Sequence, residues 1–73
     1  MNTTEIYHGQ WIVGEEEYQD ILTIIQRENY LIAGGMTNAG LIEEYEHKID
    51  PYFSLNENME YFIETIRRKQ NDK

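Results

Sequence analysis

The sequence predicts an α+β domain with the element order β-α-β-β-α, a small three-stranded sheet packed on two helices. Three observations carry that expectation. Residues 5–13, Glu-Ile-Tyr-His-Gly-Gln-Trp-Ile-Val, are rich in β-branched and aromatic types, the composition of a strand. Tyr18, Ile21, Leu22 and Ile25 recur at i, i+3, i+4 and i+7, the stripe of an amphipathic helix. Ser54-Leu55-Asn56-Glu57 matches a capping box and opens a second helical stripe. The chain of 73 residues allows one domain, spanning 1–73.

Taken in order, the first strand places Tyr7, Trp11 and Val13 on one face and Ile6 and Ile12 on the other, with Gly9 marking a bulge or bend. Gly14 then interrupts the chain, and Glu15, Glu16 and Glu17 stand where the positive end of a helix dipole favours acids. This first helix is expected to run to about Glu28, with Asn29 as its left-handed terminal residue and Ile24 off the buried stripe. Tyr30-Leu31-Ile32-Ala33 is too short for a helix and is assigned to a strand. Gly34-Gly35-Met36-Thr37-Asn38-Ala39-Gly40 carries turn residues. Residues 41–50 fit two patterns. As a strand they pair with 30–36 in a hairpin and complete the sheet; with residues 40–50 helical the order becomes β-α-β-α-α. The strand is preferred, because two short strands alone make too small a sheet to organise three helices.

Asp50-Pro51 ends that element. Tyr52 and Phe53 are expected to tuck against the core. In the last helix Leu55, Met59, Phe62, Ile63 and Ile66 share one face, and Arg67, Arg68 and Lys69 complement the dipole at its end. Residues 70–73 are expected to fray. With both helices on one side of the sheet, its other face is left partly open and lined by Ile6, Ile12 and Ile42, which points to a homodimer.

Charge bounds the function. Residues 1–66 carry thirteen acids against Arg27 and Lys48, and residues 67–73 carry Arg67, Arg68, Lys69 and Lys73 against Asp72, for a net charge of −8. Such a body repels nucleic acid and anionic membrane and attracts basic protein surfaces. No cysteine is present, so disulfides and Cys-based zinc sites are excluded, and with two histidines a His-rich site is too. The polar N-terminus shows no secretory signal, and no apolar run approaches the ~20 residues of a membrane span. The expected setting is therefore cytoplasmic. Size and composition are in the style of short bacterial or phage reading frames.

Chemistry-bearing motifs are sparse. Glu43, Tyr45 and His47 would share a strand face, and Glu43 with His47 offers a carboxylate and an imidazole for a metal or a proton; a polar rim explains them as well. The Gly34–Gly40 loop could offer N–H groups to a phosphate, but it carries no Lys or Arg and no P-loop or dinucleotide pattern, so a hairpin loop explains it better. Tyr7 and Trp11 could stack bases, but the basic groove that accompanies such platforms is missing. The one serine is committed to a helix cap, which leaves no catalytic set to assemble. No catalytic, cofactor or metal residue is assigned.

What remains is the acids. They cluster at Glu15–Asp20, at Glu43, Glu44 and Glu46, and at Glu57, Glu60 and Glu64 beside Tyr61, an aromatic off the buried stripe. An acidic surface can serve solubility alone. The leading expectation is a non-enzymatic factor of the inhibitor, antitoxin, immunity or anti-defence kind that docks on a basic protein partner through Glu43, Glu44, Glu46, Glu57, Glu60, Tyr61 and Glu64. The alternatives are a homodimer whose acids only keep it soluble, and a ligand or metal binder using the glycine loop or Glu43/His47.

Overall fold

A computed structural model describes residues 4–71. Residues 1–3 and the last two of the tail expected to fray, Asp72 and Lys73, lie outside the described residues. The chain forms β1 (Glu5–Val13), one 3₁₀ turn (Glu16–Tyr18), β2 (Asp20–Arg27), β3 (Tyr30–Gly34), β4 (Met36–Thr37), β5 (Gly40–Leu41), β6 (Tyr45–Lys48) and α1 (Leu55–Asn71). Strands β1, β2, β3 and β6 make an antiparallel sheet in that order, and β4 with β5 makes a separate small hairpin. The class is α+β, with four strands in the main sheet and one helix on it instead of three strands and two helices.

The helix expected over 15–28 is a 3₁₀ turn followed by a strand. Ile21, Thr23, Ile24 and Ile25 are β-branched, which costs side-chain freedom in a helix and suits a pleated sheet. β2 is an inner strand flanked by β1 and β3, and its consecutive residues Leu22, Thr23, Ile24 and Ile25 are all buried, so the run reads as continuous rather than alternating. Ile24, placed off the helical stripe, is fully buried, whereas Tyr18 and Ile21 of that stripe are exposed. Arg27 pairs directly with Tyr30, so a two-residue corner replaces the helix end, and its left-handed residue is Glu28 (φ 55°) rather than Asn29.

Strand β1 breaks register between Tyr7 and Gly9, and Gly9 has φ 106°. A bulge changes the facing parity of what precedes it. Directly opposed residues share a face. Trp11 opposes Leu22, so Trp11 and Val13 lie on the helix side; Ile6 opposes Gln26 and joins them. Tyr7 opposes Ile25 and Ile12 opposes Ile21, so both lie on the outer face. The bulge thus reverses the expected placement of Tyr7 and Ile6. The core packs Val13, Leu22, Ile24, Leu31 and Ala33 of the sheet against Phe62, Ile63 and Ile66 of α1, with Trp11, Tyr45, Ile49 and Met59 around them. Each large aliphatic buried there stabilises the fold by ~1.5–3 kcal/mol.

The outer face has its own cover. Gly34 opposes Thr23 on that face, and a Cβ on Gly34 would collide with the Ile42 carbonyl oxygen. Residues 42–44 therefore cross the sheet over Gly34, pinned by Ile42 N–H to Gly35 O (2.9 Å) and Glu44 N–H to Ala33 O (3.0 Å). From this crossing Glu43 meets Arg27 at 3.0 Å, and Arg27 also meets Glu5 at 2.9 Å. The row between Arg27 and the crossing holds Ile25 and Ile32, which are buried although no helix packs on them. The Gly34–Gly40 segment is the β4–β5 hairpin and its entry, so β3 pairs with β6 across an intervening hairpin rather than through a simple loop.

Candidate functional site: an acidic aromatic groove along the helix

The connector 49–54 ties β6 to α1 through Asn58. This side chain is 3% exposed. Its Nδ2 donates to the carbonyls of Asp50 (3.0 Å), Phe53 (3.3 Å) and Ser54 (2.9 Å). Its Oδ1 accepts from the Asp50 N–H (2.8 Å) and lies 3.2 Å from His47 Nε2. Three carbonyl acceptors fix the amide orientation, so His47 Nε2 must carry its proton and donate. The His47 ring stacks on Phe62, with centroids 5.6 Å apart, and lies 5.5 Å from Tyr61. Asp50 Oδ1 accepts the Tyr52 N–H (2.9 Å) and sharpens the Pro51 turn. The capping box forms as its pattern predicts: Glu57 N–H donates to Ser54 Oγ (3.1 Å) and Ser54 N–H to Glu57 Oε1 (3.0 Å).

Held by this network is a groove of about 630 Å³. His47, Phe53 and Tyr61 supply its apolar surface; Asp50, Glu57, Glu60 and Glu64 bring four carboxylates, against Lys48 as the one base in the lining. Glu57, Glu60, Tyr61 and Glu64 are thus assembled in one place, as their helical spacing predicts. Phe53 and Tyr52, expected in the core, are exposed instead, because the Asn58 network turns the connector outward. Glu64 also lies 3.9 Å from Arg68, one turn on.

The other acids do not join this groove. Glu43 is held by Arg27 on the outer face. Its hydrogen bond, ahead of that from Glu5, raises the Arg27 pKa above its already high ordinary value, so the guanidinium stays charged wherever the chain is folded. Glu46 opposes Ile32 on the same outer face. Glu44 lines a second, shallower groove with Glu17, Tyr18, Asp20, Tyr45 and Gln70, where Gln70 Nε2 donates to Asp20 (2.9 Å). The expected single set of seven partner-binding residues is therefore split among three places.

The alternative ligand sites are rearranged too. Tyr45 and His47 share the helix side of β6, opposite Ala33 and Leu31, while Glu43 reaches the outer face. Glu43 and His47 therefore have the sheet between them. No three metal-ligating side chains gather among the described residues. In the glycine hairpin the Ala39 N–H donates to Thr37 Oγ1 (3.1 Å) and the Ile42 N–H to Gly35 O, which gives those donors partners within the chain. His47, paired with Glu43 in the sequence pattern, lines the groove with Asp50, Phe53 and Asn58 instead, three residues that no sequence pattern marked as functional. Asn58 carried a signal: an asparagine inside a helix, next to the apolar stripe, is a local conflict that usually has a task.

No protein-family model, curated protein or solved structure matches this chain. No helix among the described residues is long and apolar enough to cross a membrane.

Proposed function

We propose that this chain is a non-enzymatic binding protein that docks on a basic surface of a partner protein, with the groove along α1 as its contact. The observation that carries this reading is the convergence of Asp50, Glu57, Glu60 and Glu64 on the exposed rings of Tyr61 and Phe53. Carboxylates beside an accessible aromatic face suit an Arg or Lys side chain: the ring attracts the cation, and the acids pair with it. An inhibitory factor covering a nuclease or nucleic-acid groove would use the same chemistry, and its cytoplasmic setting and bacterial or phage origin belong to that proposal. Ser54 Oγ is engaged as a helix cap, which agrees with binding rather than nucleophilic chemistry.

Fluorescence anisotropy with a labelled Arg/Lys-rich peptide tests the reading. The wild-type chain is expected to bind, and to weaken markedly as salt rises from about 50 to 200 mM, since exposed charges are screened over ~8–10 Å. Tyr61→Ala with Glu60→Gln is expected to reduce affinity at least ~10-fold at low salt. Equal affinity of that double variant and the wild type would refute the groove. The competing reading, acids serving only solubility on a small homodimer, expects no saturable binding at any salt.

A further inference from the structure

We infer that the groove along α1 takes its basic partner as an extended segment, added to the free edge of β6 as a further strand of the main sheet. This gives the form of the partner in the proposed function and rests on that reading.

The sheet ends at β6, which pairs only with β3. Beyond β6, the Ile49 N–H donates to the Asn29 carbonyl (2.7 Å), so Ile49 continues the ladder toward the β3 side. In an antiparallel ladder, residues bonded to the neighbour alternate with residues whose backbone groups point away from it. Tyr45 and His47 therefore turn their N–H and C=O to β3, and Glu46, Lys48 and Asp50 turn theirs to the open edge. Asn58 answers the last of these. Its side chain accepts from the Asp50 N–H (2.8 Å) and donates to the Asp50 carbonyl (3.0 Å), the two bonds a neighbouring strand would make. No group among the described residues does the same for Glu46 and Lys48, which are exposed.

That edge is one wall of the groove. His47 and Lys48 line it from β6, and Glu60, Tyr61 and Glu64 from α1. A strand laid beside β6 runs between the two. Its residues opposite Tyr45 and His47 share their face, which is the helix side, where the His47 ring lies 5.5 Å from Tyr61. Alternate residues of a strand stand ~6.8 Å apart, close to the ~6 Å rise between Glu60 and Glu64 along the helix. Basic side chains at every second position thus meet the carboxylates and the Tyr61 ring, while main-chain hydrogen bonds to Glu46 and Lys48 fix the register.

Charge selects this occupant over a second copy of the chain, since the groove's acids repel a body of net charge −8. The other edge of the sheet is blunted: β1 is broken by its bulge at Gly9, and the Ile12 carbonyl accepts from Arg67 (3.3 Å).

The probe is a fluorescein-labelled peptide of alternating Thr and Arg, about seven residues long, followed by anisotropy at low salt. Lys48→Pro removes the edge N–H without removing a bond to β3, the setting in which a strand tolerates proline. Lys48→Thr removes the same charge and keeps the N–H. Lys48→Thr is expected to bind at least as tightly as the wild type, and folded Lys48→Pro at least ~10-fold more weakly than Lys48→Thr. Should Lys48→Pro misfold, the wild-type chain is titrated with two further peptides of the same charge, one N-methylated at every Thr and one at every Arg. Only one alternate set of amides faces β6, so one of these peptides is expected to bind at least ~10-fold more weakly than the other. Equal binding by the folded proline and threonine variants, or by the two methylated peptides, overturns the added strand and leaves a cation-binding groove standing. A wild-type chain that does not bind the unmethylated peptide overturns both.

Discussion

At the scale of single residues, two positions do more than their chemistry announces. Asn58 satisfies three carbonyls, one backbone N–H and the His47 ring from inside the helix. Replacing it with alanine leaves those groups short of partners in a buried place. Asn58→Ala is therefore expected to cost ~2–4 kcal/mol in urea denaturation, against under ~0.5 kcal/mol for exposed Asn56→Ala. The second position is Gly34. Its need is for space: the Ile42 carbonyl lies where a Cβ would be, while a Cβ on Gly35 meets nothing within 4 Å. Gly34→Ala is expected to destabilise by several kcal/mol and Gly35→Ala by under ~1 kcal/mol, both read as shifts in the denaturation midpoint. Nothing in the dipeptide Gly34-Gly35 distinguishes its two members, because the difference is made by a carbonyl eight residues away. The partner-binding acids divide in the same way. Spacing on a helix sufficed to bring Glu57, Glu60, Tyr61 and Glu64 together. Only the tertiary path of residues 42–44 shows that Glu43 is spent on Arg27.

At the scale of elements, the last helix was legible and the first was not. Residues 54–57 specify a start by local hydrogen bonds, and the stripe that follows has one apolar face. Residues 18–25 carry a helical stripe, Tyr18, Ile21, Leu22 and Ile25, yet the run between its members is filled by Thr23 and Ile24. Four consecutive buried residues, Leu22 to Ile25, show no alternation, so periodicity cannot separate this strand from a helix, and β-branching is the deciding signal. The two readings differ in a measurable way. The strand places Ile24 in the core and Ile21 outside, and the helical stripe places them the other way round. Ile24→Ala is expected to cost ~2–5 kcal/mol in equilibrium unfolding and Ile21→Ala under ~1 kcal/mol, provided the comparison is made where the chain is monomeric. The opposite order would restore the helix. The strand at 5–13 and its irregularity at Gly9 were legible, but the consequence of the bulge for Tyr7 and Ile6 was not. A one-residue insertion reverses facing without changing composition.

At the scale of the whole molecule, the layout sorts charge by side. The helix side carries the groove of four carboxylates and the exposed rings, and the outer side carries the Arg27 ion network beside bare isoleucines. Neither side follows from the net charge, which is a sum over surfaces that face different ways. The acids at 15–17 cap no helix end, and the bases at 67–69 are partly used within the chain: Arg67 donates to the Ile12 carbonyl (3.3 Å) and Arg68 approaches Glu64. Acid and aromatic surface coincide in both grooves, but the one along α1 gathers four carboxylates beside the exposed rings of Tyr61 and Phe53, against three beside Tyr18 and Tyr45 in the other. The measurement that tests this most directly is a nitrogen-15 NMR titration of the chain with an Arg/Lys-rich peptide at low salt. Binding in the groove is expected to shift the amides of residues 47–50 and 53–64 and to leave those of β1 and β2 in place. Shifts spread evenly over all the acidic clusters, or centred on Glu17, Asp20 and Glu44, would contradict it.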